Sequence, residues 1–132
     1  VDPYNLVSAL NGVVAQRLIR TLCPPCAQPA KPSAEDLGHA DIDLSASADW
    51  KFRRAVGCGS CRGTGYRGRK AIAELLVLND EIRELIISRA PIRQLKEAAS
   101  RNGTRSLRES ALDLVRDGIT SLEEANRVTF VA

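Results

Sequence analysis

No methionine occurs anywhere in the 132 residues, and the chain opens on Val1. A complete gene product ordinarily starts with Met, so the sequence is expected to be a piece of a longer protein. Aromatic residues are scarce, with one Trp, two Tyr and two Phe, which leaves little ring surface for stacking on bases. The lone histidine, His39, falls in an irregular stretch and is expected at the surface rather than among metal ligands. No apolar run approaches the roughly 20 residues that span a bilayer, and no signal peptide is visible. Neither sign of charge dominates: 19 Lys and Arg against 16 Asp and Glu leave +3. That balance makes no electrostatic case for nucleic acid or a membrane surface.

What is present is an apolar content of 44%, enough for one compact domain or two small lobes. Leu6, Leu10, Val14 and Leu18 recur every four positions, which predicts a helix over 4–22, stopped by Pro24 and Pro25. Residues 27–49 are rich in Pro, Ala, Ser and Asp and read as an irregular excursion, with a short helix expected near Ser33–Leu37. Trp50–Val56 reads as a short strand, paired with an apolar strand over Lys70–Leu78. Glycines crowd residues 57–68, as tight turns require. The rest reads as helices. One starts near Asn79 or Asp80, and the next begins with Pro91. Two more begin at capping-box signatures, Ser106/Glu109 and Ser121/Glu124. Gly103 and Gly118 sit where C-terminal caps belong. The expected fold class is α+β, mainly α.

All four cysteines fall in two C-x-x-C hooks, Cys23/Cys26 and Cys58/Cys61. Two sulfurs three positions apart can take two corners of a tetrahedron while the turn between them stays compact. Two hooks complete the four-coordinate shell that structural Zn²⁺ prefers. The long spacer is no obstacle, because loop-closure entropy grows only logarithmically. Gly59, Gly63 and Gly65 let backbone N–H groups turn toward the second pair of sulfurs. Arg62, Arg67 and Arg69 offset a four-thiolate charge. Pro24 and Pro25 lack N–H groups, so the first hook is expected to accept fewer. Disulfides, a thioredoxin-like redox pair and unrelated buried thiols are the competing readings, each less favoured than structural zinc. Four thiolates leave no open position for water, so a catalytic zinc is not expected.

Three stretches carry a family resemblance. Leu10–Cys26 reads L-N-G-V-V-A-Q-R-L-I-R-T-L-C-P-P-C, Cys58–Leu76 reads C-G-S-C-R-G-T-G-Y-R-G-R-K-A-I-A-E-L-L, and Gly118–Thr129 reads G-I-T-S-L-E-E-A-N-R-V-T. Together they resemble the C-terminal end of the secretion and pilus-assembly ATPases, the GspE/PilB type of the type II/type IV secretion superfamily. The resemblance runs over nearly the whole chain apart from residues 27–49. It implies the C-terminal part of a RecA-like motor ATPase domain, in which Cys23, Cys26, Cys58 and Cys61 bind zinc. Thr64, Gly65, Tyr66, Gly68 and Arg69 match the turn after the second hook, and Glu74 the acidic position beyond it. Gln16, Arg17, Leu18 and Arg20 match the segment before the first hook. Arg17 and Arg20 read either as a solvated face or as contacts to a neighbouring subunit or the ATPase core.

The resemblance implies a homohexamer that hydrolyses ATP with Mg²⁺, powers type II secretion or type IV pilus assembly, and meets inner-membrane platform proteins at the cytoplasmic face. The sequence itself lacks a G-x-x-x-x-G-K-[ST] phosphate loop and a recognisable acidic Walker B strand. No catalytic residue is assigned, and the chain alone is expected to be inactive. The expected division is a helix over 1–22 leading in from the core, a zinc-binding lobe over 23–78 and a helical region over 79–132. Chelation is expected to unfold 23–70 before those helices. Two other functions fit parts of the sequence. A zinc ribbon for nucleic acid would use Arg53, Arg54, Arg62, Arg67, Arg69 and Lys70 with Trp50, Phe52 and Tyr66. A chaperone-type zinc module is suggested by C-G-S-C-R-G-T-G. Neither is preferred, and no nucleic-acid partner is expected.

Overall fold

A computed structural model describes residues 2–33 and 49–129. The architecture is mixed α+β with helix in excess, as expected. In chain order the elements are α1 (Pro3–Ala9), β1 (Gly12–Leu22), β2 (Gln28–Pro29), β3 (Arg53–Arg54), a 3-10 turn (Gly59–Cys61), β4 (Tyr66–Val77), α2 (Asp80–Ile87), α3 (Ile92–Arg101), α4 (Leu107–Arg116) and α5 (Leu122–Thr129). Of the helix expected near Ser33–Leu37 all but Ser33 lies outside the described residues, as does His39.

The helix expected over 4–22 is a correction. Only α1 is helical, capped by Asp2, whose carboxylate accepts the Tyr4 N–H at 2.9 Å, with Pro3 in its first turn. Asn11–Gly12 then breaks the pattern, as that dipeptide does, and Gly12–Leu22 is a strand. The four-residue spacing was shared by chance with a segment rich in β-branched residues, Val13, Val14, Ile19 and Thr21, which favour a pleated surface. The strand pairing is also corrected. β4 begins four residues before Lys70 and lies beside β1, not beside the 50s. Leu78 N–H donates to Asn11 O at one end, and Cys23 N–H to Gly65 O at the other, so β1 and β4 run antiparallel. Of Trp50–Val56 only Arg53–Arg54 is strand, pairing antiparallel with β2 in the register Gln28↔Arg54 and Pro29↔Arg53.

The chain divides into two compact units, each built from two separate stretches. The first comprises Val1–Gln16 and Ala73–Leu107, the second Arg17–Ile72 and Arg108–Ala132. In the first, Val7, Leu78, Ile82, Ala98 and Ala99 form a buried apolar cluster, ringed by Leu10, Leu76, Leu85, Ile86 and Leu95. Asn79 caps α2 by accepting the Ile82 N–H at 2.9 Å, and Asp80 and Glu81 suit its positive end. Arg83 donates to Val7 O and Leu10 O, satisfying carbonyls at the end of α1. In the second unit Ile19, Leu22, Cys23, Val115 and Ala125 are buried. Trp50 stacks tilted on Phe52, and both, like Leu112 and Leu122, are partly buried against a common core cluster.

Helices α2, α3 and α4 share one ending. After each, a left-handed residue lets two N–H groups turn back onto the last carbonyls. Ala90 and Arg89 donate to Leu85 O and Ile86 O, Thr104 and Gly103 to Ala99 O and Ser100 O, and Ile119 and Gly118 to Leu114 O and Val115 O. Glycine fills the left-handed position at 103 and 118, as expected, but Arg89 fills it after α2, with φ 56°.

Candidate metal centre

The first hook begins where β1 ends. Cys23 is held by its N–H to Gly65 O at 3.0 Å, and its own carbonyl accepts from Ala27 N–H at 3.0 Å, closing a turn over Pro24 and Pro25. The second hook is the 3-10 turn. Cys58 O accepts from Gly63 N–H at 2.9 Å, and Thr64 Oγ1 donates to Cys61 O at 2.8 Å. Arg62 takes the left-handed conformation that reverses the chain, with φ 57°. Gly65, at φ 83°, has no substitute: an added Cβ would lie 2.5 Å from Ala55 Cβ.

These turns bring the four sulfurs together. Cys23 and Cys58 Sγ are 3.7 Å apart, Cys58 and Cys61 3.8 Å, and Cys26 and Cys61 3.9 Å. All four lie within 4.8 Å of one another. A tetrahedron with Zn–S bonds of about 2.3 Å has S···S edges of about 3.8 Å. Three of the six separations match that edge, and the cluster as a whole is compatible with one such ion. They are free thiols, well beyond the roughly 2.0 Å of a disulfide bond. The redox pair is not favoured by the fold either: a strand precedes Cys23, but Cys26 runs into β2 and not into a helix that would lend it an N-terminus.

Backbone donors favour charge on the sulfurs. Cys61 Sγ accepts the N–H groups of Cys58 and Gly65, both at 3.2 Å, and Cys26 Sγ accepts that of Gly57 at 3.4 Å. Burial opposes the Cys61 thiolate, but those two donors outweigh it and hold the thiol down at about 6. Burial, together with hydrogen bonding to its neighbours, pushes Cys23 up to about 12. The Cys61 thiol therefore ionises more readily than that of Cys23. A cation among them is what would let all four ionise together. Cys23 and Cys61 are buried, whereas Cys26 and Cys58 are half-buried.

The family model for Type II/IV secretion system protein matches residues 1–127. The chain belongs to this family. It is 42% identical over 124 residues to the type IV pilus assembly ATPase PilB of Thermus thermophilus, covering 94% of this chain and 14% of that protein. It is 45% identical over 129 residues to the type II secretion system ATPase E of Vibrio cholerae, covering 98% and 25%. A Myxococcus xanthus type IV pilus assembly ATPase PilB is 40% identical over 125 residues, covering 94% and 22%. The chain thus spans a quarter or less of these relatives' length.

Within this family member, the residues expected in the turn after the second hook are mostly placed around the cluster. Thr64 bonds the hook's carbonyl, Gly65 donates to Cys61, and Tyr66 opens β4. Gly68, at φ 85°, sits within 3.2 Å of Thr21 Oγ1 for any added Cβ. Arg69 is exposed on β4, and Glu74, half-buried on the same strand, belongs to the first unit. Arg17 is exposed and donates to Val128 O.

Arg20 is the residue whose surroundings the sequence did not disclose. Its backbone N–H, Nε and Nη2 all donate to the Glu124 carboxylate, at 2.9, 3.1 and 3.0 Å. Its guanidinium also lies 4.2 Å from the centre of the Tyr66 ring. Arg127 completes the shell with two bonds of 2.6 and 2.9 Å. The Glu124 side chain is fully buried. Burial pushes this carboxyl up, but the hydrogen bonds from Arg127 and Arg20 prevail and hold it at about 2. The expected capping box at Ser121/Glu124 is accordingly half made. Ser121 Oγ accepts the Glu124 N–H at 3.1 Å, while the Glu124 side chain turns away to β1. Nothing in local spacing signals a partner 104 residues away.

Proposed function

We propose that the chain is the metal-binding C-terminal region of an ATPase that powers type II protein secretion or type IV pilus assembly, with Cys23, Cys26, Cys58 and Cys61 holding one structural zinc ion. The observation that carries this reading is the tetrahedral spacing of four sulfurs in a chain of that family. When bound, the ion supplies cross-linking and no open coordination site. The residues do the rest: Gly57, Cys58 and Gly65 donate to the sulfurs, and Arg62 and Gly65 shape the turns. Nucleotide, Mg²⁺ and the catalytic groups belong to the larger protein, a reading supported by the small fraction of each relative that the chain spans and by the lack of a phosphate-loop motif.

We assign residues 23–78 to metal binding and 79–132 to partner or subunit contact. Arg17, more exposed than Arg20 and bonded through its side chain to Val128 O where Arg20 is gripped by the Glu124 carboxylate, is the better candidate for a neighbouring subunit. A homohexamer at the cytoplasmic face of a bacterial inner membrane, meeting platform proteins, follows from the family reading. No helix among the described residues is long and apolar enough to cross a membrane. The nucleic-acid reading loses aromatic surface, because Trp50 and Phe52 are partly buried against the core and the Tyr66 ring faces Arg20.

The test is metal content. The purified chain should carry one zinc per molecule, with four thiols that react only after chelation. Sub-stoichiometric metal with four freely titrating thiols would overturn the site. Calorimetric titration should detect no micromolar nucleotide binding to the chain, whereas the full-length protein should hydrolyse ATP, and an Arg17→Ala change there should lower assembly and activity.

A further inference from the structure

The two segments that carry the sulfurs run directly into the residues that hold α5. Leu22, next to Cys23, donates its N–H to Ile119 O at 2.8 Å. Thr120 Oγ1 donates to Arg20 O at 2.7 Å, and Arg20 itself grips Glu124 of α5. On the other side, Gly65 donates to Cys61 Sγ, and the next residue, Tyr66, pairs its hydroxyl with Ser121 Oγ at 2.6 Å. Ser121 is the residue that caps α5. Gly65 O also accepts the Cys23 N–H, joining the two ligand segments to each other. Leu22 and Arg20 therefore stand one and three residues from Cys23, and Tyr66 directly follows Gly65, whose N–H the Cys61 sulfur accepts.

We infer that metal loading and the docking of α5 are thermodynamically linked, with Tyr66 as the positioning residue between them. The inference rests on the zinc reading above. Fixing the Cys58–Gly65 turn fixes the backbone of Tyr66, and the rigid ring carries that constraint to Ser121 at its far end. The link is reciprocal: whatever factor α5 docking adds to metal affinity, metal adds to α5 docking. Arg20 forms the parallel connection from the first hook.

The test uses the whole chain and two readouts. Tyr66→Phe keeps the ring beneath Arg20 and the Ser121 cap on α5, and removes only the hydroxyl pair. It should weaken zinc binding about fivefold in competition with a chromophoric chelator, the worth of one hydrogen bond. Amide exchange over Leu122–Thr129 should quicken when zinc is removed, while Asp80–Ile87 in the first unit keeps its protection. In Tyr66→Phe that zinc-dependent difference should shrink by the same factor. Arg20→Lys, which keeps the charge but loses the forked contact, should shift both readouts in the same direction. Unchanged zinc affinity in Tyr66→Phe, or equal α5 exchange with and without zinc, would overturn the linkage. A purely structural tyrosine would lower the stability of loaded and metal-free forms alike and leave affinity unmoved. A chain that takes up one zinc yet shows no coupling sinks the linkage alone; a chain that takes up none sinks the metal site with it.

Discussion

Glu124→Gln isolates a single buried charge whose worth can be worked from its surroundings. The carboxylate is wholly enclosed and receives five hydrogen bonds, three from Arg20 and two from Arg127. Together they bring its pKa from an ordinary 4.5 to about 2. At roughly 1.4 kcal/mol per pH unit this amounts to about 3 kcal/mol of folding stability, within the roughly 3–5 kcal/mol lost when one partner of a buried ion pair is removed. Glutamine fits the space, but its amide N–H groups would face guanidinium N–H groups. Because the folded pKa lies below the unfolded one, the stabilisation is complete above about pH 4.5 and drains away as pH falls toward 2. Trp50, the only tryptophan, lies in the same unit, so its fluorescence in urea reports the right transition. With zinc saturating at pH 7, the variant should unfold at a urea concentration lower by roughly 2 M. The gap between variant and parent should hold from pH 8 to 5 and narrow below that, followed down to the pH at which either protein unfolds. A gap below about 1 kcal/mol at pH 7, against the pairing energies above, or one that widens on acidification, would refute the reasoning.

Three further outcomes follow from local geometry. Arg89→Gly should raise stability by about 1 kcal/mol, because it removes a side chain from the left-handed position that ends α2; a thermal melt showing a loss would count against that cap. Gly65→Ala should lower stability by more than about 2 kcal/mol through strain and overlap and weaken zinc binding, since the added Cβ meets Ala55 Cβ at 2.5 Å; wild-type affinity in a chelator titration would contradict it. Zinc removal should expose the amides of β1, β3 and the second hook together with those of α4 and α5, rather than 23–70 alone as the sequence suggested; hydrogen exchange that spares α4 would restore the simpler lobe.

The parts of this fold that sequence revealed are those encoded locally. A C-x-x-C hook sets its own geometry within four residues, so two hooks announced a cluster before any tertiary contact was known. Asn79, Gly103 and Gly118 declared helix ends for the same reason. The strand β1 was hidden because its conformation is decided by β4, more than forty residues away, and its leucines mimic a helical stripe. Asn11–Gly12 was the available warning. The pairing of β3 with β2, and not with the 70s, depends on where the hooks carry the chain. Glu124 was read as a capping residue because Ser121 lies three positions before it, yet two arginines compete better for its carboxylate than one backbone N–H.

The two units solve the problem of small size differently. The first unit buries an ordinary apolar cluster around Ile82 and Ala98. In the second, the largest fully buried side chains include Glu124, Thr120 and Cys23 beside Ile19 and Val115. The apolar interior of this unit thus also encloses Thr120, Ser121 and Glu124, and each buried polar group is costly unless its partner is in place. Here the partners are in place: among the described residues no buried side-chain nitrogen or oxygen lacks one. Such a network holds one arrangement and tolerates few others. It is also unforgiving of loss, because any slackening of the sulfur cluster is felt first at Arg20 and Tyr66, the residues that keep Glu124 and Ser121 satisfied. A metal cross-link at the sulfur cluster, as proposed, would act at the base of that network.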